Sequence, residues 1–313
     1  MNHSTFKSFT FGIGLFFTLP LVYGNSSSPS SSDGTLYINK SKTHKVAPVK
    51  YGFHYEEIGM MGEGALHAEL IRNRSFEEAI PPAGLSVKNG LYENVPAPRV
   101  KEKKVFQADP LIGWTTYPLS YTPVFISRTD ENPMSGENKY SMLVNVTEDI
   151  ANHPDALILN RGYYGMNLKT DTSYRLSLFL KNRNYSAPLR VFLVDEWGQR
   201  VSNVIEVNVG NRDWTKYTGE LKPEKNVRRG MFAIQPMSKG QFQIDVVSLF
   251  PSDTWNDGKS VFRKDIVQNL KEFSPSFIRF PGGCIVHGVN EETMYHWKKT
   301  LGPIENRPGQ WSK

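Results

Sequence analysis

The stretch SVFRKDIVQNLKEFSPSFIRFPGGC, residues 260–284, contains the pattern that decides the fold. Four apolar residues recur at helical spacing and form a stripe on one face of a predicted helix: Phe262, Ile266, Leu270 and Phe273. Ser274 and Pro275 end this helix, because the residue before a proline avoids the helical conformation. FIRF, residues 277–280, then predicts a strand that runs into a Gly-Gly turn. This order of elements is typical of an α/β protein.

A second segment of the same kind lies near the start of the chain. VAPVKYGFHYEEIG, residues 46–59, reads as a short apolar strand followed by a glycine turn. GALHAELIRNRSF, residues 64–76, predicts a helix, because Leu66, Leu70 and Ile71 fall on one face. The chain therefore contains two predicted strand–helix units, one at each end.

The region between these units has a different texture. Residues 80–110 are rich in proline and charge and are expected to be a connector, whereas residues 111–250 alternate apolar and polar positions. Turn signals at 195–198 and 210–213 separate the runs. Three predicted strands place these residues on a common face: Tyr174, Leu176, Leu178 and Leu180; Leu189, Val191 and Leu193; Phe242, Ile244 and Val246. Several short strands at this spacing indicate a β-sandwich of the jelly-roll type.

The fold class expected from these patterns is α/β plus β. A (β/α)8 TIM barrel needs eight βα units, so the two units found here predict an incomplete barrel, interrupted by an inserted jelly-roll-type β-sandwich. The predicted divisions are a signal peptide, a Ser-rich linker, the start of the barrel, the sandwich with its connector, and a truncated second barrel unit: 1–24, 25–35, 36–80, 81–254 and 255–313.

The first 24 residues predict export. Lys7 supplies a positive charge, Phe11 to Tyr23 form an apolar core, and Gly24 is a small residue before cleavage. The core is too short to be a spanning helix, so the protein is expected to be secreted or periplasmic, with no membrane partner. Cys284 is the only cysteine in the 313 residues, so stability is expected to come from packed cores rather than disulfides.

Composition argues against several function classes. The net charge of +6 arises from 37 basic and 31 acidic residues dispersed along the chain, so no nucleic-acid partner is expected. The seven histidines have no paired spacing, so neither a metal nor a cofactor is expected. Asp245 alone is a candidate ligand for structural calcium, and one carboxylate is thin evidence for such a site.

Four stretches, in this order, carry a resemblance to a known family: YGFHYEEIG with AELIRNRSFE (51–59, 68–77), DVVSLFP with DTWN (245–256), LKEFSPSFIRFPGGCIVHG (270–288) and YHWKKTLGPIENRPG (295–309). They resemble the α-L-arabinofuranosidases of glycoside hydrolase family fifty-one. The resemblance covers essentially everything after the linker. The region 111–250 more weakly resembles a carbohydrate-binding module of the family four/nine kind.

The resemblance implies a complete (β/α)8 barrel, a small C-terminal β-sandwich, and release of terminal non-reducing α-L-arabinofuranosyl residues from arabinan or arabinoxylan. It implies a retaining mechanism, in which an acid/base Glu and a nucleophilic Glu lie about 5 Å apart. The family carries both on later strands, and the acid/base Glu follows an Asn within a Gly-Asn-Glu type stretch that does not occur here. The chain alone is therefore expected to be inactive. The alternative is a secreted, non-catalytic carbohydrate-binding protein that acts through the sandwich.

The resemblance also implies substrate contacts at the ends of the two predicted barrel strands. Glu56 ends the first strand, where it would accept hydrogen bonds from arabinose hydroxyls, and the alternative is a solvent-facing carboxylate. Glu57 takes the opposite face and ranks lower. After Arg279 and Pro281, the turn residues Gly282, Gly283 and Cys284 are implied to form the pocket floor. The alternative for Cys284 is a small buried hydrophobe.

The remaining candidates lie on loops and strands outside the predicted barrel edge. His287 stands where the family usually has Glu, which puts the pocket rim in doubt, and His67 is expected on the surface. Four aromatic residues of the sandwich could stack on sugar rings, and core packing is the alternative for each: Trp114, Tyr163, Tyr164 and Trp197.

Overall fold

The computed structural model describes residues 51–57, 60–78, 109–288 and 294–308, together with the short stretches 38–39, 41, 49, 87–88, 91–93, 105–107 and 291. The predicted signal peptide (1–24) and linker (25–35) lie outside the described residues. Contacts divide the chain into two units, Met1–Ala47 and Pro48–Lys313. In the first unit, the Ser41 hydroxyl donates to Asn39 Oδ1 (2.7 Å). All features below belong to the second unit.

The strands of the described residues are mostly in the middle of the chain. In order they are β1 (Phe53–His54), β2 (Val87–Lys88), β3 (Leu91–Glu93), β4 (Val105–Gln107), β5 (Trp114–Tyr117), β6 (Val124–Thr129), β7 (Ser141–Val146), β8 (Leu157–Asn160), β9 (Met166–Leu168), β10 (Tyr174–Asn182), β11 (Pro188–Val194), β12 (Ile205–Asn208), β13 (Thr215–Leu221), β14 (Val227–Pro236), β15 (Gly240–Pro251) and β16 (Ile278–Arg279).

The helices of the described residues are short. They are α1 (Lys264–Glu272), α2 (Cys284–His287) and three 3-10 turns at Ile150–Asn152, Trp297–Thr300 and Ile304–Asn306. α1 lies where the apolar stripe predicted a helix, and that prediction is confirmed. Searched over the described residues, none of the helices combines the length and apolar character required to cross a bilayer.

Two antiparallel sheets enclose the main core. One has the strand order β13-β10-β15-β7-β6, and the other has the order β12-β11-β14-β8-β5, with β9 pairing to β14. The alternating residues predicted for β10 and β11 are buried and belong to one core cluster, to which both sheets contribute: Tyr174, Leu176, Leu178, Leu180, Leu189, Val191 and Leu193. Period two in these strands therefore predicted the correct buried face.

A bulge in β15 breaks the alternation that predicted its inward face. The register between β10 and β15 shifts between Ser177 and Phe179 of β10. At this point of β15, Val246 has a positive φ of 42°. An extra residue in a bulge moves every later side chain to the other face. Val247 and Leu249 therefore continue the core face begun by Ile244, and the prediction for Val246 was wrong.

The helix predicted at 64–76 is absent, since this stretch of the structure is made of turns and extended backbone. β15 pairs with β7 only from Gly240 to Ile244, so beyond that point β15 offers backbone groups to this segment. The Leu70 amide donates to the Leu249 carbonyl (3.1 Å), and the Val247 amide donates to the Arg74 carbonyl (2.9 Å). Tertiary pairing has overridden the helical spacing, and Ile71 is buried by it.

The connector predicted before the two sheets also contains structure. β2, β3 and β4 form a small antiparallel sheet within residues 87–107. Pro-rich and charged composition indicated only a loop here. The short strands fall between the prolines. Proline has no backbone N–H to donate to a neighbouring strand, so this placement keeps it out of the strand interiors.

β1 and β16 form a separate two-stranded parallel sheet, although both large sheets lie between them in the sequence. Phe53 aligns with Ile278 and His54 with Arg279. The predicted strands at both ends of the chain are thus present and paired. The predicted stripe is partly covered by the described residues: Ile266 and Leu270 in α1 are half-buried, whereas Phe262 and Phe273, which flank α1, are exposed.

Candidate active site

The carboxyl ends of β1 and β16 lie at the same edge because the two strands are parallel. The Phe53 amide donates to the Phe277 carbonyl (3.0 Å), and the Tyr55 amide donates to the Arg279 carbonyl (2.8 Å). The residues that follow these bonds, Glu56 on one strand and the Gly-Gly turn on the other, are therefore brought together. Ligands bind at this edge in barrels and open parallel sheets.

Glu56 lies directly against the Gly-Gly turn. A Cβ atom added at Gly283 would be 3.5 Å from Glu56 Oε2, so the missing side chain leaves room beside the carboxylate. His54 Nε2 lies 3.9 Å from the same oxygen and forms an ion pair whenever the imidazole is protonated. The sequence analysis did not single out His54. Its position two residues before Glu56 could have indicated it, because residues two apart in a strand lie on the same face.

The turn itself has the backbone that only glycine tolerates well. Gly282 is buried and has a φ of +146°. α2 begins directly afterwards, and its first residue, Cys284, is exposed. The alternative that Cys284 is a buried hydrophobe is therefore wrong. That Gly282, Gly283 and Cys284 contact substrate stays a prediction.

Glu57 is engaged by the loop that follows β1. Its carboxylate accepts hydrogen bonds from the Gly62 backbone and the Tyr55 hydroxyl. A Cβ at Gly62 would lie 1.8 Å from Glu57 Oε2, so any side chain there would displace the carboxylate from its present position. Burial raises the pKa of Glu57. Burial, together with the charge of Glu57 and the hydrogen bond to it, raises the pKa of Tyr55 to about 12. Glu57 thus holds the loop, while Glu56 faces the glycine turn.

Tyr163 is fixed against the same loop and does not present a free ring. Its hydroxyl donates to Glu63 Oε2 (3.2 Å), and a Cβ at Gly64 would lie 2.5 Å from its Cγ. Burial, followed by the charge of Glu63, raises the pKa of Tyr163. The Arg72 guanidinium lies 5.9 Å from the ring centroid. Tyr163 thus connects the six-stranded sheet to this loop, with one side of its ring packed on Gly64. Sugar stacking on Tyr163 stays a prediction.

The other three predicted stacking residues divide clearly. Trp114 is only 6% exposed, donates from Nε1 to the Asn73 carbonyl (3.1 Å), and packs against Phe76 and Phe232. It is a core residue, and its prediction as a stacking residue is wrong. Tyr164 and Trp197 are 80% and 73% exposed, so their rings are available to a ligand. Sugar stacking on these two stays a prediction.

The two histidines singled out from the sequence have different surroundings. His67 packs edge-on against Phe250 (5.2 Å between centroids), and burial followed by the charge of Arg74 lowers its pKa to about 4. Its prediction as a surface residue was wrong, because the segment that carries it is extended rather than helical. His287 is exposed, and its Nδ1 lies 2.7 Å from the Gly288 carbonyl.

Asp245 is completely buried beside the β15 bulge. Its Oδ1 accepts from the Val246 amide (2.7 Å), and its Oδ2 accepts from Asn138 Nδ2 (3.3 Å). Burial raises its pKa well above the usual range, and the charge of Glu77 adds to this. Within the described part of the chain, no three His, Cys, Asp or Glu side chains form a metal-binding group. Among the described residues, Asp245 therefore has no further carboxylates arranged around it as calcium ligands.

Comparison with known proteins points to one family. The family model described as alpha-L-arabinofuranosidase 1 domain matches residues 269–313. Alpha-L-arabinofuranosidase 1 of Arabidopsis thaliana is 28% identical over 266 residues, covering 83% of this chain and 35% of the relative. An extracellular exo-alpha-L-arabinofuranosidase of Streptomyces chartreusis is 26% identical over 270 residues, covering 82% of this chain and 28% of the relative.

A solved structure has a similar fold. The arabinose-bound GH51 α-L-arabinofuranosidase superimposes with a TM-score of 0.69 at 23% identity, covering 88% of this chain and 41% of that chain. This chain spans about a third of the length of the curated relatives it matches. The chain is therefore a relative of the α-L-arabinofuranosidases of glycoside hydrolase family fifty-one.

Proposed function

We propose that this chain is part of a secreted or periplasmic, retaining α-L-arabinofuranosidase, and that Glu56 binds the sugar to be released. The substrate would be a terminal non-reducing α-L-arabinofuranosyl residue of arabinan or arabinoxylan. The observation that carries the proposal is the Glu56 carboxylate at the carboxyl edge of a parallel strand pair, against a glycine with no side chain. The relationship to arabinofuranosidases supports the substrate class.

The chemistry of a carboxylate suits sugar binding. Its two oxygens accept strong hydrogen bonds from neighbouring hydroxyl groups, and Gly283 lets a ring approach the backbone closely. His54 Nε2, 3.9 Å from Glu56 Oε2, would help to hold the carboxylate in place as an ion pair when the imidazole is protonated. The Gly282–Cys284 turn would form the floor of this pocket.

We further propose that β1 and β16 are the first two strands of an incomplete (β/α)8 barrel, and that the two large sheets are a jelly-roll-type insertion between them. The parallel pairing of β1 with β16 supports this, because neighbouring strands of a (β/α)8 barrel are parallel. The exposed apolar residues on and around β16 also support it, because further barrel units would cover them.

The chain alone is expected to be inactive. Retention requires a proton donor and a nucleophile about 5 Å apart across the scissile bond. Glu57 is held by the Gly62 loop and Glu63 accepts from Tyr163, so neither is free to serve beside Glu56. We propose that both catalytic carboxylates come from barrel strands beyond those in this chain. The reaction needs neither a metal nor another cofactor.

Two measurements on the purified chain test this function. With an aryl α-L-arabinofuranoside, we expect no release above that of a buffer blank, and release would contradict the proposed inactivity. Methyl α-L-arabinofuranoside should nevertheless bind, as observed by saturation-transfer NMR. Glu56→Gln should weaken its binding about tenfold, because one charge-assisted hydrogen bond is lost.

The control for that experiment is Glu137→Gln, which changes an exposed glutamate elsewhere. It should bind the glycoside as the unmodified chain does. Equal affinity in the Glu56→Gln chain would remove Glu56 from the site. The coding sequence downstream of Lys313 offers a separate check, since a Gly-Asn-Glu stretch there would favour the enzyme.

The second candidate function is a secreted protein that binds carbohydrate without hydrolysing it. The exposure of Tyr164 and Trp197 favours it, because large aromatic rings in water are suited to sugar stacking. Alanine at both positions would abolish polysaccharide binding if this function depends on them. Loss of glycoside binding in Glu56→Gln alone would favour the enzyme.

A further inference from the structure

The outer face of the six-stranded sheet carries a groove of about 350 Å³. A second apolar cluster, separate from the main core, forms this face: Leu157, Leu159, Phe192, Val194, Met231 and Ala233. Leu157 and Phe192 line the groove, and Tyr117 at the end of β5 packs beside them. The groove volume is within the range of about 300–1,000 Å³ that small-molecule sites occupy.

The turn after β11 shapes one wall of the groove. Gly198 has a φ of +80°, and a Cβ added there would lie 3.4 Å from Tyr117 Cε1. Glycine at this point lets the turn approach the tyrosine ring, which is half-buried. Trp197, the adjacent residue, remains exposed at this turn. The groove thus combines a fixed aromatic ring with an apolar floor.

Polar side chains with planar terminal groups, an amide and guanidinium groups, surround that floor. Gln235 donates from its amide to the Pro154 carbonyl (2.6 Å), which fixes the orientation of its head. Arg190 donates from Nε to Glu206 (3.1 Å), and about half of its side chain is exposed. A guanidinium has five N–H donors, so Arg190 retains donors for a ligand. Sugars present paired hydroxyls that match such heads.

The charges of the groove decide which kind of glycan fits. Arg190 is matched by Glu206, and Arg200 has Glu224 at 3.6 Å. Asp155 also lines the groove. The two positive charges are therefore already balanced, so an anionic glycan gains no net attraction and would face three carboxylates. A neutral chain avoids this repulsion and uses the remaining hydrogen-bond donors.

We propose that this groove binds the main chain of a neutral polysaccharide, with a sugar ring against Tyr117 and hydroxyl groups bonded to Arg190, Arg200 and Gln235. This goes beyond the proposed hydrolysis, since it assigns the chain a second carbohydrate site, on a different sheet from Glu56. The two ideas can fail separately, because main-chain binding needs no turnover.

Affinity gel electrophoresis of the purified chain tests this site. A neutral arabinoxylan in the gel should retard the chain, and polygalacturonate at physiological salt should not. Tyr117→Ala and Arg190→Ala should each raise the dissociation constant about tenfold, because each removes one stacking or hydrogen-bonding partner. Tyr117→Phe should bind as the unmodified chain does, since it keeps the ring.

The matched control is Phe125→Ala, which removes an exposed ring from β6 in the other sheet and should leave retardation unchanged. Arg190 is on the surface, so its variant remains informative if Tyr117→Ala unfolds in a thermal melt. The site would be overturned by an unmodified chain that migrates freely in arabinoxylan. Equal losses in Phe125→Ala and Arg190→Ala, or stronger retardation by polygalacturonate, would also overturn it.

Discussion

Asp245 shows what a single buried carboxylate does to the stability of this molecule. It is completely buried, and its charged neighbour Glu77 carries the same sign. Asn138 donates one hydrogen bond to Asp245, while its own Oδ1 is buried without a partner in the described residues. Burial raises the pKa of Asp245, so the folded state binds a proton more tightly than the unfolded state, whose value is near 3.8. Stability must then fall as pH rises from about 4 through the raised pKa.

Asp245→Asn should therefore stabilise the protein at neutral pH by on the order of 1–3 kcal/mol, because it removes an uncompensated buried charge. The amide oxygen of the new asparagine can still accept the hydrogen bond from the Val246 N–H. Its NH2 group can donate to Asn138 Oδ1 once the Asn138 side-chain amide flips by 180°. Urea unfolding at pH 4.5, 6 and 8, with a chelator present, measures the effect. The gain over the unmodified chain should grow with pH, and the exposed Asp213→Asn should show no such trend. A variant that is less stable at pH 8 would contradict this assignment.

Gly240 shows how one residue fixes a whole element, the connection that leads from β14 in one large sheet to β15 in the other. Its φ is +141°, and a Cβ there would lie 2.8 Å from the Asn184 carbonyl oxygen and 2.9 Å from Tyr185 Cα. Backbone atoms cannot move aside as a flexible side chain can. Gly240→Ala should thus destabilise the protein by about 1–3 kcal/mol. Gly210→Ala is the matched control, since nothing lies within 4 Å of a Cβ there. Urea midpoints of the two variants that differ by less than their error would contradict the role of Gly240.

At the scale of elements, sequence patterns succeed where local period and tertiary environment agree. β10 alternates cleanly and α1 repeats at helical spacing, so both are correctly predicted. Residues 64–76 also repeat at helical spacing, but β15 offers them backbone partners from Val247 onward, and long-range pairing cannot be read from a local window. The bulge at Val246 likewise could not be predicted, because a strict alternation of apolar and polar residues assumes a strand without an inserted residue.

The candidate sites divide in the same way. Glu56 and the Gly-Gly turn were expected at the strand ends, and parallel pairing brings them together. Tryptophan fits both a core and a sugar site, and the sequence alone left both open for Trp114; its burial, its packing against Phe76 and Phe232 and its hydrogen bond to Asn73 distinguish them. The groove beside Tyr117 joins residues of four strands, β5, β8, β11 and β14, and of the loops near them, so no contiguous motif indicates it.

The whole molecule has one surface that its own described residues leave uncovered. Ile278 in β16 is 59% exposed, and apolar neighbours along the adjacent chain are exposed too: Phe273, Phe277, Phe280 and Trp297. Monomeric proteins rarely leave such contiguous apolar patches in water. β16 also has one neighbour, β1, in its sheet within the described residues, so an edge is open to pairing.

This surface should make the isolated chain self-associate and bind an apolar dye. Ile278→Lys places a charge at its centre and should weaken self-association about tenfold in sedimentation experiments, because burying one such side chain is worth roughly 1.5–3 kcal/mol. Leu119→Lys is the control, since Leu119 is 78% exposed in the loop after β5. It removes as much exposed apolar side chain from a different element and should leave the association constant unchanged. Equal effects of the two substitutions would mean that association follows total apolar exposure rather than this face, and the surface around β16 would then lose its role as the contact surface.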